Sequence, residues 1–273
     1  TAALHLTAQD YSGRDNTDTE RVDKPAEIVV DGANLTVGKV LSSNNADYSY
    51  NSSKGINVGT VEGKSAILNI INGGTVNYFM KDGETANIGA GGTVNVNAST
   101  FNVACRAENG TVTLANAGTI NVENATVEIA KLDNDNLLFI SGENTFKVED
   151  ATGSSYALRA KDGVVFNNSY VKGTANETIR LLGSATFNGG FECAYLQGQK
   201  VIEDNPLNGG IGGTIAIEEG TTVHATYGVE ISNDYTLNGG NIELSGGNAD
   251  GDLWGFVFQN SECTINSNIK VVG

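Results

Sequence analysis

The chain has 273 residues, including 35 Gly and only 2 Pro, and its 16 Lys or Arg against 32 Asp or Glu give a formal charge of -16. Glycine without a strict three-residue period excludes collagen, 39% hydrophobic residues exclude a disordered acidic tail, and no apolar run approaches the ~20 residues of a membrane-spanning helix. Such an acidic balance, with no Lys/Arg-rich segment to offset it, argues against nucleic acid or anionic lipid as a partner.

Residues 1–25 are polar and lack the pattern that follows, but Leu4 and Leu6 alternate around His5, so this segment reads as an N-terminal arm that caps the first repeat. It carries no charged and apolar leader, so any secretion signal is expected to have been removed. Residues 26–273 read as one repetitive domain. Gly73-Gly74-Thr75-Val76-Asn77 recurs 18 residues later from Gly91, and again in the related Asn109-Gly110-Thr111-Val112-Thr113. A longer match sets Gly92–Val103 against Gly118–Ile129, an offset of 26 residues. In the second half the landmark is an apolar residue followed by Asn, at Phe166, Phe187, Leu207, Leu237 and Ile265.

Within a unit the apolar residues alternate, as Val94 and Val96 and then Phe101 and Val103, which is the period of a strand. The turns between strands, about four residues long, are too irregular for two-residue hairpins and too short for crossover helices, so the chain must bend without reversing. Coiling achieves this: each turn stacks parallel on the last and buries its alternate aliphatics. The expectation is an all-β fold, a single-stranded parallel β-helix (β-solenoid) of about 10–12 coils spaced ~4.8 Å apart. Gly and Asn suit left-handed corners, stacked Asn side chains can form ladders, and Pro would remove ladder donors. Longer spacing between Leu207 and Leu237, and a Gly-rich excursion from Gly240 to Phe256, mark loops that leave the coil. The pattern stops at Gly273 in mid-course, as in part of a longer chain.

The Gly-Gly-Thr-Val-Asn units, the variable coil length, the acidic charge and the scarcity of Pro and Met resemble the passenger domains of autotransporter (type V secreted) adhesins. The resemblance covers residues 26–273 and implies a right-handed β-helix on a bacterial cell surface, exported and used in attachment to host glycans or proteins, or in self-association. The family's membrane barrel has no counterpart in the sequence given.

β-Helices also carry polysaccharide lyases and hydrolases. Their signatures are missing: there is no Asp-Asp pair, His5 and His224 sit in Leu-His-Leu and Val-His-Ala, and no Gly-x-Ser-x-Gly elbow occurs. The leading expectation is therefore a non-catalytic binding protein, with a polysaccharide-acting enzyme or an inert spacer as alternatives. Counting seven residues back from the landmarks gives Arg159, Arg180, Lys200 and Glu230 at one lateral position, a cation ladder suited to an acidic ligand or else paired with surface carboxylates. Trp254 offers a platform for a sugar ring. No cofactor is expected. Calcium is the one candidate, at Asp250 and Asp252 in a segment that partly resembles the repeats-in-toxin nonapeptide, or at Asp133-Asn134-Asp135-Asn136. Cys105, Cys193 and Cys263 form no short-spaced pair and read as small buried side chains.

Overall fold

The computed structural model of the protein describes residues 4–6, 26–37, 56–59, 65–80, 82–105, 110–134, 136–153, 158–173, 178–198, 212–232, 235–246, 255–259 and 263–272. The chain is all-β, with no helix among the described residues, and the registers given below are all parallel. It divides into two compact units, residues 1–121 with 128–136, and residues 122–127 with 137–273. Of the expected arm, only Leu4–Leu6 is described, and it pairs in parallel with Ile56–Val58.

The first unit contains β1 (Leu4–Leu6), β2 (Ala26–Asp31), β3 (Asn34–Val37), β4 (Ile56–Val58), β5 (Ala66–Ile71), β6 (Thr75–Met80), β7 (Thr85–Ile88), β8 (Gly92–Asn97), β9 (Thr100–Cys105), β10 (Thr113–Asn116), and parts of β11 (Thr119–Glu123) and β12 (Thr126–Asn134). Three stacks run through it: β2–β5–β8, β3–β6–β9, and β1–β4–β7–β10–β12. The stacking step is close to the longer of the two sequence offsets, since Ala66 pairs with Gly92, 26 residues on, and Thr75 with Thr100, 25 on. The 18-residue repeat instead relates strands of different stacks: Thr75 lies in β6 and Thr93 in β8.

Alternation decides which side chains face inward. Val76, Val94, Phe101 and Ile120, each the middle of a Thr-x-Asn triplet, are buried, while the flanking Thr and Asn are half-buried or exposed. Each buried aliphatic of this size contributes ~1.5–3 kcal/mol relative to exposure. On the outside, Asn121 donates to Asn95 (2.8 Å), Asn95 to Asn69 (2.7 Å) and Asn69 to Glu27 (2.5 Å). Left-handed corners follow the expected chemistry at Gly32 (φ 58°) and Asn72 (φ 54°), but Ala98 (φ 47°) also adopts this conformation despite its Cβ.

The second unit contains the remainder of β11 and β12, then β13 (Leu137–Gly153), β14 (Leu158–Ala160), β15 (Val164–Gly173), β16 (Thr178–Leu181), β17 (Ala185–Gly198), β18 (Gly213–Ile217), β19 (Thr222–Ser232), β20 (Tyr235–Ser245), β21 (Gly255–Gln259) and β22 (Thr264–Val272). Several of these strands are long and turn corners, so their two ends pair with different neighbours. The front of β13 pairs with β14 and its rear with β15, while β17 meets β15 with one end and β16 with the other. With the β14–β16 pairing, this closes a circuit of five strands. Phe139, Phe146, Phe166, Phe187 and Phe191 fill its interior, with successive ring centroids 4.7–5.5 Å apart.

The landmark residues Phe166 and Phe187 are register partners, as are Leu237 and Ile265. Between them the pattern departs from expectation: Phe187 pairs with Ile217, whereas Leu207 lies outside the described residues.

Candidate binding surface

Two lateral rows of polar side chains stand out in the second unit. The first contains the expected cation ladder in altered form. Arg159 pairs in register with Arg180, Arg180 with Gln197, and Gln197 with Glu230. Gln197 therefore holds the place that counting gave to Lys200, which itself lies outside the described residues. The misplacement comes from counting back from Leu207, because the chain between Gly198 and Gly213 does not follow the spacing of its neighbours.

The row is also not a surface ladder. Arg180, Gln197 and Glu230 are 4%, 1% and 6% exposed, and Arg159 is half-buried. Strand residues 179–181, 193–198 and 228–231 are buried without alternation, so both faces of the chain are covered there. Arg180 Nε donates to Gln197 Oε1 (2.8 Å), Gln197 Nε2 donates to Glu230 Oε2 (3.1 Å), and the Tyr195 hydroxyl donates to the same carboxylate oxygen. A neutral amide thus bridges a buried cation and a buried anion, meeting the hydrogen-bonding condition on which buried charge depends. This arrangement fixes structure. It does not present three adjacent cations to an anionic ligand.

The second row is accessible. Lys147 pairs with Tyr170, Tyr170 with Glu192, Glu192 with His224, His224 with Glu243 and Glu243 with Lys270. Lys147, Tyr170, Glu192, His224 and Glu243 are half-buried and Lys270 is exposed, while flanking residues such as Val148, Phe191, Cys193, Val223, Ala225, Ile242 and Leu244 point into the core.

Side-chain contacts hold this row in place. The Tyr170 hydroxyl donates to Glu149 Oε1, and Lys172 Nζ lies 3.3 Å from Glu149 Oε2 and 4.4 Å from the Tyr170 ring centre. The bond from Tyr170, together with Lys172, holds the Glu149 carboxyl below its ordinary range against the opposing effect of burial. His224 Nε2 is 3.2 Å from the Ser245 carbonyl oxygen and 3.0 Å from Ser245 Oγ. A carbonyl can only accept, so Nε2 carries the proton and Nδ1 is the acceptor of the neutral ring. Ser245 Oγ then donates to Glu243 Oε1 (3.4 Å), whose other oxygen pairs with Lys270 (3.3 Å). With its proton on the Ser245 side, His224 is not arranged as a base for the Ser245 hydroxyl.

The other candidates divide by location. Trp254, Asp250 and Asp252 lie outside the described residues, as does Asp135. Asn136 is committed to Thr119 Oγ1 (3.1 Å). Among the described residues no group of three His, Cys, Asp or Glu side chains could hold a metal ion. All three cysteines are free, but only Cys193 is buried. Cys105, at the end of β9, and Cys263, just before β22, are half-exposed, which corrects the expectation of three core thiols.

The Tyr170–Lys270 row escaped the sequence reading although its elements are visible there. Phe191-Glu192-Cys193, Val223-His224-Ala225 and Ile242-Glu243-Leu244 each show one polar residue between two inward ones. Aligning them requires the register, with steps of 32 residues from Glu192 to His224 and 19 from His224 to Glu243. Comparison with known proteins gives no match, whether to a protein-family model, a curated protein or a solved structure.

Proposed function

We propose that the chain is a parallel β-helical attachment module, exported and displayed at a bacterial surface in the manner of autotransporter passengers, that binds glycans or proteins without chemical turnover. The observation that carries this reading is the in-register parallel stacking within each unit, as in Ala66 on Gly92 or Glu192 on His224. Stacking of this kind repeats one outward side-chain position at each rung and so creates extended lateral surfaces suited to elongated ligands. Left-handed corners at Gly and Asn and the Asn ladder from Asn121 to Asn69 support the β-helical form. The closed circuit through β13 and β17 fits it as well, as the trace of strands long enough to pass a corner. A charge of -16 suits a solvated exterior and disfavours nucleic acid.

The test is binding of fluorescently labelled protein to a glycan array and to cultured host cells, with product analysis of every glycan that binds. Saturable binding with no new reducing or unsaturated ends supports attachment. Released fragments would make the chain an enzyme, and no binding to either target would leave only a spacer.

A further inference from the structure

We propose that the Tyr170–Glu192–His224–Glu243 row is a binding strip for an uncharged, polyhydroxylated glycan lying across strands β15, β17, β19 and β20. This rests on the attachment reading and narrows it to one surface and one ligand class.

Three observations converge. First, the four residues occupy consecutive rungs on one outward face, so at about 4.8 Å per rung they span roughly 14 Å. That is longer than a single sugar ring, and it extends further through Lys147 and Lys270. Secondly, their contacts fix them before any ligand arrives: Glu149 and Lys172 hold Tyr170, while Ser245 ties His224 to Glu243. Preorganisation reduces the ordering cost of binding.

Thirdly, the chemistry points to hydroxyl donors. The carboxylates of Glu192 and Glu243 and the Nδ1 of neutral His224 are acceptors, and a carboxylate has enough lone pairs for two neighbouring hydroxyls. Charge narrows the ligand further. In a chain of net charge -16, the strip and its flanks balance, with Lys147, Lys172 and Lys270 against Glu149, Glu192 and Glu243. A polycation meets three lysines and a polyanion meets three carboxylates, whereas a neutral glycan opposes neither. A metal ion is not favoured, as no group of three suitable side chains among the described residues could hold one.

The test is affinity electrophoresis of the whole chain through gels containing hydroxyethylcellulose, galactomannan or dextran, with polygalacturonate and polylysine as charged comparators. Retardation by a neutral polymer that persists in roughly 0.5 M NaCl is expected. Glu192→Gln and Glu243→Gln should each weaken it at least about tenfold, with an unchanged circular-dichroism spectrum. Thr93→Arg, in the other unit, should have no effect.

Retardation by a charged comparator alone, lost in salt, would overturn the assignment. So would self-association by light scattering that Glu192→Gln abolishes, which would make the row an interface between copies. Neutral-polymer binding undiminished in both Gln variants would remove the strip but leave the attachment reading intact. So would cell binding without retardation by any polymer. Failure to bind both cells and polymers would remove both.

Discussion

Burying an amide side chain costs free energy unless each polar atom finds a partner, and Asn144, at 0% exposure, meets that condition. Its Oδ1 accepts from the Ala125 backbone N–H (3.2 Å), and its Nδ2 donates to the carbonyls of Ser141 (3.1 Å) and Gly142 (2.8 Å). Asn144→Ala strands these groups, and a loss of about 2–4 kcal/mol is expected in urea unfolding. Two buried acids add a dependence on pH. Burial pushes the Cys193 thiol well above its ordinary range, and burial together with Asp162 does the same to the Tyr235 phenol, which donates to the Leu181 carbonyl (2.9 Å). Because the folded values are raised, their contribution is complete below the unfolded values of about 8.5 and 10 and is lost as pH rises toward the folded ones. The urea midpoint should therefore fall progressively above about pH 9, with a shallower fall in Cys193→Ala. A midpoint flat through this range would contradict the burial of both groups.

Neighbouring positions on one strand separate the two forces that hold an element in place. Val94 of β8 faces the core at 0% exposure, while the next residue, Asn95, lies in the outer amide ladder. Val94→Ala should cost about 2–3 kcal/mol in urea unfolding, as lost transfer energy plus a cavity. Asn95→Ala should cost about 1 kcal/mol or less, because water can replace its bonds. Equal costs would mean that the alternation does not mark inside and outside. Strand alternation, parallel direction and corner chemistry were legible because each depends on residues close in sequence. Register was legible only where spacing is regular, as at Phe166 and Phe187. It failed beyond Phe187, where an apolar-Asn pair at Leu207 resembles the landmark but Ile217 is the register partner. Burial of Arg180 and Glu230 was illegible for another reason: alternation reports which face a side chain occupies, not whether other chain covers that face.

For the molecule as a whole, each unit combines a uniform rung with an irregular chain length per rung. Along the outward row, successive partners are 22 residues apart from Tyr170 to Glu192, then 32, 19 and 27 to Lys270. The surplus residues leave the stack and return without shifting the next inward-facing side chain, since Val223 and Ile242 remain fully buried on either side of these steps. Contour length and surface pattern are thereby uncoupled. Segments inserted at such exits can diversify by whole peptides while the lattice that carries them keeps its pitch, so the scaffold can accept foreign sequence without redesign of its interior.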